Sequence, residues 1–275
     1  MVDPGVVAFY DRHPISAAQI LDKILASRGS VEGLTAADLF AHDQDHYGGL
    51  AANDALAAAA GVASDSHVLD MCAGLCGPAR YNATRSGCRV VGLELNASRC
   101  AGARDLNRRT GLDGPVTVVR GDVTKAPFGS GTFDVVWSQE AFLHVPDKPA
   151  LLASARRVLK PGGRLAFTDW VAGPSLTADD RALMHEGIAA LSIVAPADYV
   201  AALRTAGFAA VETTDVSADW IPILKARLEM YRGLREDARR ASGADPHADY
   251  VRFYERFVAL VDSGELGGGR FIARA

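Results

Sequence analysis

The spacing of hydrophobic positions changes character along the chain. In the first sixty residues it is helical: Ser16 precedes Ile20, Leu21, Ile24 and Leu25, Thr35 with Asp38 has the pattern of a helix start, and 51–60 is alanine-rich with leucine inside. Gly48-Gly49 ahead of that last segment marks a hinge or a close backbone approach. Short apolar runs then alternate with helical stretches. They predict strands at 68–70, 88–95, 116–119, 133–138, 164–168, 209–215 and 268–275, with helices over 97–110, 149–159 and 196–207. Such alternation specifies a mostly parallel sheet covered by helices on both faces, an α/β fold. Residues 216–264 depart from it, because they read as helix where a short turn would connect the last two strands.

Two strand ends carry the chemistry. The run Val68–Leu69 ends at Asp70, the small-residue loop MCAGLCG follows, and the next apolar run ends at Glu94. Glycines at a strand-to-helix turn let a ligand approach the backbone, and a carboxylate about 20 residues on accepts from two ribose hydroxyls. A dinucleotide site shares this much. A pyrophosphate, however, needs bare helix N-terminal N–H groups with no anion nearby, whereas Asp70 stands at the loop entrance, where it suits an ammonium and a sulfonium.

The segment 68–80 resembles motif I of the class I S-adenosylmethionine-dependent methyltransferases, acidic-x-Gly-x-Gly-x-Gly, with Cys72 and Cys76 in place of the first and third glycines and Gly77 just after. Gly77 is expected to supply the freedom that Cys76 lacks, or the turn to be unstrained. Further segments resemble the family's later motifs in order: Gly121-Asp122-Val123, then FDVVWS, then KPGGRLAFTDW. SQEAFLH at 138–144 is similar to the corresponding segment of sarcosine, dimethylglycine and phosphoethanolamine methyltransferases. The resemblance implies a Rossmann-like, doubly wound, seven-stranded sheet with an antiparallel last strand and a helical cap. The expected division is a cap at 1–60, a cofactor-binding core at 61–215, a helical lid at 216–264 and the final strand at 265–275. It further implies S-adenosylmethionine as cofactor, held by Asp70, Cys72, Ala73, Gly74, Gly77, Glu94, Leu95, Asp122, Val123, Ser138, Gln139 and Tyr47. His144, Tyr47, Asp169 and Trp170 are the candidates for catalysis or acceptor contact.

The implied reaction is methylation of a small metabolite or natural product, with an amine nitrogen favoured over oxygen, carbon or sulfur. A nicotinamide-dependent oxidoreductase and a non-catalytic cofactor-binding partner are the rival classes. The formal charge of −4 and the lack of a Lys/Arg run argue against nucleic acid. Cysteines at 72, 76, 88 and 100 form no Cys-x-x-Cys pair, so no metal site is expected. Without a basic n-region or a long apolar run, the expectation is a soluble cytoplasmic protein that does not engage membranes. The 216–264 insertion leaves a dimerisation arm, and so a possible homodimer, as the alternative to a lid.

Overall fold

The computed structural model describes residues 4–13, 15–242, 245 and 247–275. Seven strands form one sheet: β1 (His67–Met71), β2 (Arg89–Glu94), β3 (Val116–Arg120), β4 (Phe133–Gln139), β5 (Leu159–Ala172), β6 (Ala209–Asp215) and β7 (Leu266–Arg274). Their order is β3-β2-β1-β4-β5-β7-β6, with β7 antiparallel to both neighbours and the β1, β2, β3, β4 and β5 pairings parallel. The order reverses at β1/β4. In an open parallel sheet that reversal places a crevice beyond the strand carboxyl ends, so Asp70, Glu94 and the segment after Gln139 are brought to one place.

Eleven helices surround the sheet among the described residues: α1 (Pro4–Asp11), α2 (Ala17–Arg28), α3 (Ala36–Leu39), α4 (Gly49–Ala60), α5 (Gly77–Ser86), α6 (Ala97–Arg109), α7 (Lys148–Val158), α8 (Ala178–Ile188), α9 (Pro196–Thr205), α10 (Ser217–Ser242) and α11 (Ala248–Asp262). The capping chemistry sets several boundaries. Ser16 accepts from the backbone N–H of Gln19 at the start of α2, and Thr35 with Asp38 forms a capping box at α3. Of the helices, α1 and α8 had no counterpart in the sequence reading. The segment 40–48 is an irregular loop.

One apolar cluster, with Leu69, Phe133, Phe167 and Phe271, fills one face of the sheet, and another, with Val68, Ala79, Val90 and Trp137, fills the other. A separate cluster gathers Tyr47, Trp170, Trp220, Leu224, Phe253 and Phe257 where α8, α10 and α11 meet the far ends of β5 and β7. The 216–264 hairpin is therefore anchored by a core of its own.

Candidate active site

A cavity of about 530 Å³ opens at the carboxyl ends of β1, β2 and β4. Its floor is the β1–α5 loop. Cys72 and Cys76 both adopt left-handed backbone, φ 62° and 59°, as does Gly74 at 53°. The expectation that Gly77 would take the strained position is thus corrected, for the cysteines themselves are in the region where a side chain costs about 1 kcal/mol or more. Gly77 is required for another reason. A Cβ there would lie 1.9 Å from the carbonyl oxygen of Asp43, because the 40–48 loop is drawn against α5. Arg80, fully buried, holds it: its Nε and Nη2 donate to Asp43 Oδ2 at 3.2 and 2.9 Å, and Nη1 donates to Asn107 Oδ1 at 2.7 Å.

The carboxylates on this wall differ in their partners. Glu94 Oε2 accepts from the Gly74 N–H at 2.9 Å and Oε1 from the Asn96 N–H at 2.7 Å, which fixes the side chain and leaves lone pairs toward the cavity. Asp122 Oδ1 caps the turn at Val123–Lys125 through the N–H and hydroxyl of Thr124, so Oδ2 is left to meet a ligand. Asp70 is 4% exposed, lines the cavity and accepts no hydrogen bond. Burial, and secondarily the neighbouring Glu94, push its carboxyl up to about 8. A buried carboxyl in that state wants a cation. These residues fit S-adenosylmethionine: an ammonium and a sulfonium near Asp70, ribose hydroxyls at Glu94 and an adenine amine at Asp122. Ala73, Leu95 and Val123 line the same wall.

The opposite wall comes from α1 and from the segment after β4. Val6, Val7 and Tyr10 of α1 line the cavity although no residue of that helix is buried. Polar contacts fasten it: Asn96 Nδ2 donates to Asp11 Oδ1 at 2.9 Å, Ser98 Oγ donates to the same oxygen at 2.8 Å, and the Arg99 guanidinium lies 4.5 Å from the Tyr10 ring centre. Tyr10 Oη is 2.7 Å from His144 Nε2. Because His144 Nδ1, at 2.9 Å from the Ala189 carbonyl, must donate to it, Nε2 of the neutral ring is the acceptor for the tyrosine hydroxyl. Burial pushes His144 down to about 4 and raises Tyr10 well above the ordinary phenol range, so both are neutral at pH 7. Sequence reasoning found His144 and missed Tyr10. The available signal was Asp3-Pro4 followed by Val6, Val7 and Tyr10 at helical spacing.

A second polar chain stands beside this pair. Gln44 Nε2 donates to Asp43, and Gln44 Oε1 accepts from Asn53 Nδ2 and lies 3.1 Å from His46 Nε2. His46 Nδ1 lies 3.1 Å from the Tyr47 carbonyl and 3.2 Å from Gln139 Nε2. His46, Gln139 and Glu140 all line the cavity. Glu140, at φ 43°, accepts from the Tyr47 N–H at 2.6 Å and from the Thr168 hydroxyl, tying the 40–48 loop to β5. Burial pushes it up to about 7.

Four expected site residues lie elsewhere. Tyr47 and Trp170 sit behind the wall, with ring centres 5.2 Å apart; Trp220 and the Arg227 guanidinium cover Tyr47 at 5.2 and 4.5 Å. Their faces are spent on one another, not on a ligand. Asp169 is fully buried, accepting from the Leu143 N–H at 3.2 Å and the Tyr199 hydroxyl at 2.5 Å, which makes it an anchor for the turn carrying His144. Ser138 donates to the Met71 carbonyl at 2.8 Å and is also fully buried. Likewise the 216–264 hairpin lines no part of this cavity, whose cover is α1 and the 40–48 loop. Its apolar stripe is consumed by the Trp170 cluster.

Among the described residues no group of three or more His, Cys, Asp or Glu side chains has the geometry of a metal site, and no helix is long and apolar enough to cross a membrane. A methyltransferase domain model matches residues 69–167. The sarcosine/dimethylglycine N-methyltransferase of Halorhodospira halochloris is 45% identical over 105 residues, a match spanning 38% of this chain and only 38% of that enzyme's length. The 27-O-demethylrifamycin SV methyltransferase of Amycolatopsis mediterranei is 32% identical over 217 residues, 78% of this chain and 79% of its own. Among solved structures, phosphoethanolamine N-methyltransferase 2 of Haemonchus contortus, bound to phosphomonomethylethanolamine and S-adenosylhomocysteine, superposes with a TM-score of 0.78 at 20% identity, covering 98% of this chain and 60% of that one. That last likeness concerns the fold. Because the Amycolatopsis match runs along most of both chains and not only along the nucleotide-binding loops, the chain belongs to the family of S-adenosylmethionine-dependent methyltransferases.

Proposed function

We propose that this chain methylates a nitrogen of a small amine, with the cofactor held along Asp70, Gly74, Glu94 and Asp122 and the acceptor between that wall and Tyr10–His144. When bound, S-adenosylmethionine supplies a methyl group already activated on a positively charged sulfur. The protein's part is then alignment and exclusion of water. Glu94 and Asp122, prealigned by backbone donors, orient the nucleoside, and α1 closes the cavity over it.

The observation that carries the reading is the Tyr10–His144 pair, which shares one cavity with an unpartnered Asp70. His144 is fixed by the Ala189 carbonyl with its free lone pair directed at the Tyr10 hydroxyl. Tyr10 can pass its proton to His144 Nε2 while its oxygen takes one from the acceptor, so the pair returns to neutrality once His144 sheds that proton. A primary or secondary amine needs such a proton removed. The named activities of several relatives, methylation of sarcosine, dimethylglycine and phosphoethanolamine nitrogens, favour nitrogen as the accepting atom.

Oxygen is the second reading, favoured by the relative matched along most of its length, a rifamycin methyltransferase. The same pair would take a hydroxyl proton. Calorimetric titration of S-adenosylhomocysteine, followed by transfer of a labelled methyl group to amine and hydroxyl acceptors, tests both. No binding would refute the cofactor assignment, and label on hydroxyls alone would replace the first reading with the second.

A further inference from the structure

The charges around the cavity are unequal. Seven carboxylate side chains line it, against two basic ones, Arg99 and Lys125. Asp43 and Asp45 are paired, with Arg80 at 2.9 Å and Arg99 at 3.2 Å. Of the other five, Asp122 and Asp147 cap turns through the Thr124 and Ala150 N–H groups, and Asp70, Glu94 and Glu140 have no cationic side chain within salt-bridge distance; with Asp70 and Glu94 taken by the cofactor, Glu140 is the one that faces the acceptor.

Every cation near the acceptor end is committed, and the other lining cation, Lys125, lies at the far, adenine end. Arg99 gives Nη1 to Asp45, Nη2 to the Ile15 carbonyl and its face to Tyr10, and only its buried Nε lacks a partner. Lys148 donates to the carbonyls of Phe142, Val145 and Ser192 at 2.6, 2.9 and 3.1 Å and does not line the cavity. Arg227 lies behind the ring of Tyr47. Lys125 stands in the turn after Asp122, at the end assigned to the adenine. None of the residues outside the described part is lysine or arginine.

The polar groups left unpartnered are mainly acceptors. Asp70, 96% buried, accepts no hydrogen bond in the cavity it lines, and the buried Oε1 of Gln139 has no donor. An acceptor molecule carrying a carboxylate or phosphate beside its nitrogen would bring an anion into a cavity of low dielectric against Glu140 and the bare Gln139 Oε1, with no free cationic side chain at that end to receive it. The cost of such an uncompensated charge is what a selective site uses to reject a ligand. An ammonium meets the opposite situation.

We propose that the acceptor site selects amines that bear no carboxylate or phosphate, binding them as cations and rejecting amino-acid and phosphorylated amines. This rests on the methyltransferase reading above. It separates the chain from relatives whose names carry sarcosine, dimethylglycine or phosphoethanolamine.

The test is a matched pair, dimethylglycine and its methyl ester, which differ by one negative charge. Each is titrated calorimetrically into protein saturated with S-adenosylhomocysteine, after that ligand has been shown to bind. The expected result is binding of the ester at least tenfold tighter than the acid. Equal or tighter binding of the acid, or failure of the ester to bind, overturns the proposal, whereas failure of S-adenosylhomocysteine to bind overturns the cofactor reading beneath it.

Discussion

Asp70 is expected to cost the unliganded protein stability, and Asp70→Asn to recover part of it. Its carboxyl is pushed from 3.8 to about 8 chiefly by burial. The folded state therefore keeps a proton that the unfolded chain releases, and stability falls as pH rises from about 4 to about 8. Between 3.8 and pH 7 lie some three pH units, each worth about 1.4 kcal/mol, so the penalty at pH 7 is about 4 kcal/mol. Asparagine removes the ionisation but leaves buried amide donors, at about 1–3 kcal/mol. The net gain is then about 1–3 kcal/mol at pH 7. Urea melts of both proteins at pH 5 and pH 7, without ligand, isolate the term, since Glu140 and Asp169, also raised by burial, are common to both. The gap between variant and native protein should widen by about 3 kcal/mol from pH 5 to pH 7. In exchange, S-adenosylhomocysteine should bind the variant at least tenfold more weakly, about 1.4 kcal/mol. Native affinity should rise with pH up to about 8 and the variant's should not. A gap that is the same at both pH values would refute the reasoning, because it would mean that Asp70 titrates alike in folded and unfolded chains.

Gly77→Ala sets a Cβ 1.9 Å from the Asp43 carbonyl, and since Arg80 holds that loop in place, a loss of about 2 kcal/mol or more is expected in urea melts, with weakened cofactor binding by calorimetry. Tyr10→Phe keeps the ring on Arg99 but removes the bond to His144. Turnover should fall by about 100-fold or more while cofactor affinity changes little, and equal losses in the two would assign Tyr10 to binding alone. EDTA is expected to leave turnover unchanged; restoration of a lost activity by magnesium or zinc would overturn the metal-independent reading.

The sequence made the sheet legible because each buried parallel strand is a short apolar run, and the cofactor wall legible because two of those runs end at acidic residues, Asp70 and Glu94. The opposite wall was not readable in the same way. Tyr10 sits on a helix with no buried residue, and its partner lies 134 positions away. Tyr47 stands beside a glycine pair and Trp170 at a strand end, as ligand-facing aromatics do, yet their direction is decided by Trp220 and Arg227 from α10, whose docking no local pattern specifies. Asp169 illustrates the same limit. A carboxylate at a strand terminus reads as functional until the fold supplies Tyr199 and the Leu143 N–H to occupy it.

Cysteine in the left-handed positions of the β1–α5 loop has a compensation one strand away. Cys76 is fully buried, and a Cβ built on Gly92 of β2 would lie 2.5 Å from its Sγ and 3.0 Å from Ala73 Cβ. The side chain that motif I ordinarily lacks is accommodated because β2 lacks one instead. Gly92→Ala alone should therefore destabilise by about 1–3 kcal/mol through overpacking. Cys76→Gly alone relieves the φ of 59° but empties the volume of a thiol, so its two effects offset within about 1 kcal/mol. In the double variant the new methyl enters the vacated space, and only the milder approach to Ala73 remains. A double-mutant cycle in urea should give a favourable coupling of about 1 kcal/mol or more between the two sites. Additive effects would mean that Gly92 is set by Ala73 or by β3 instead, and that Cys76 has no partner in the sheet.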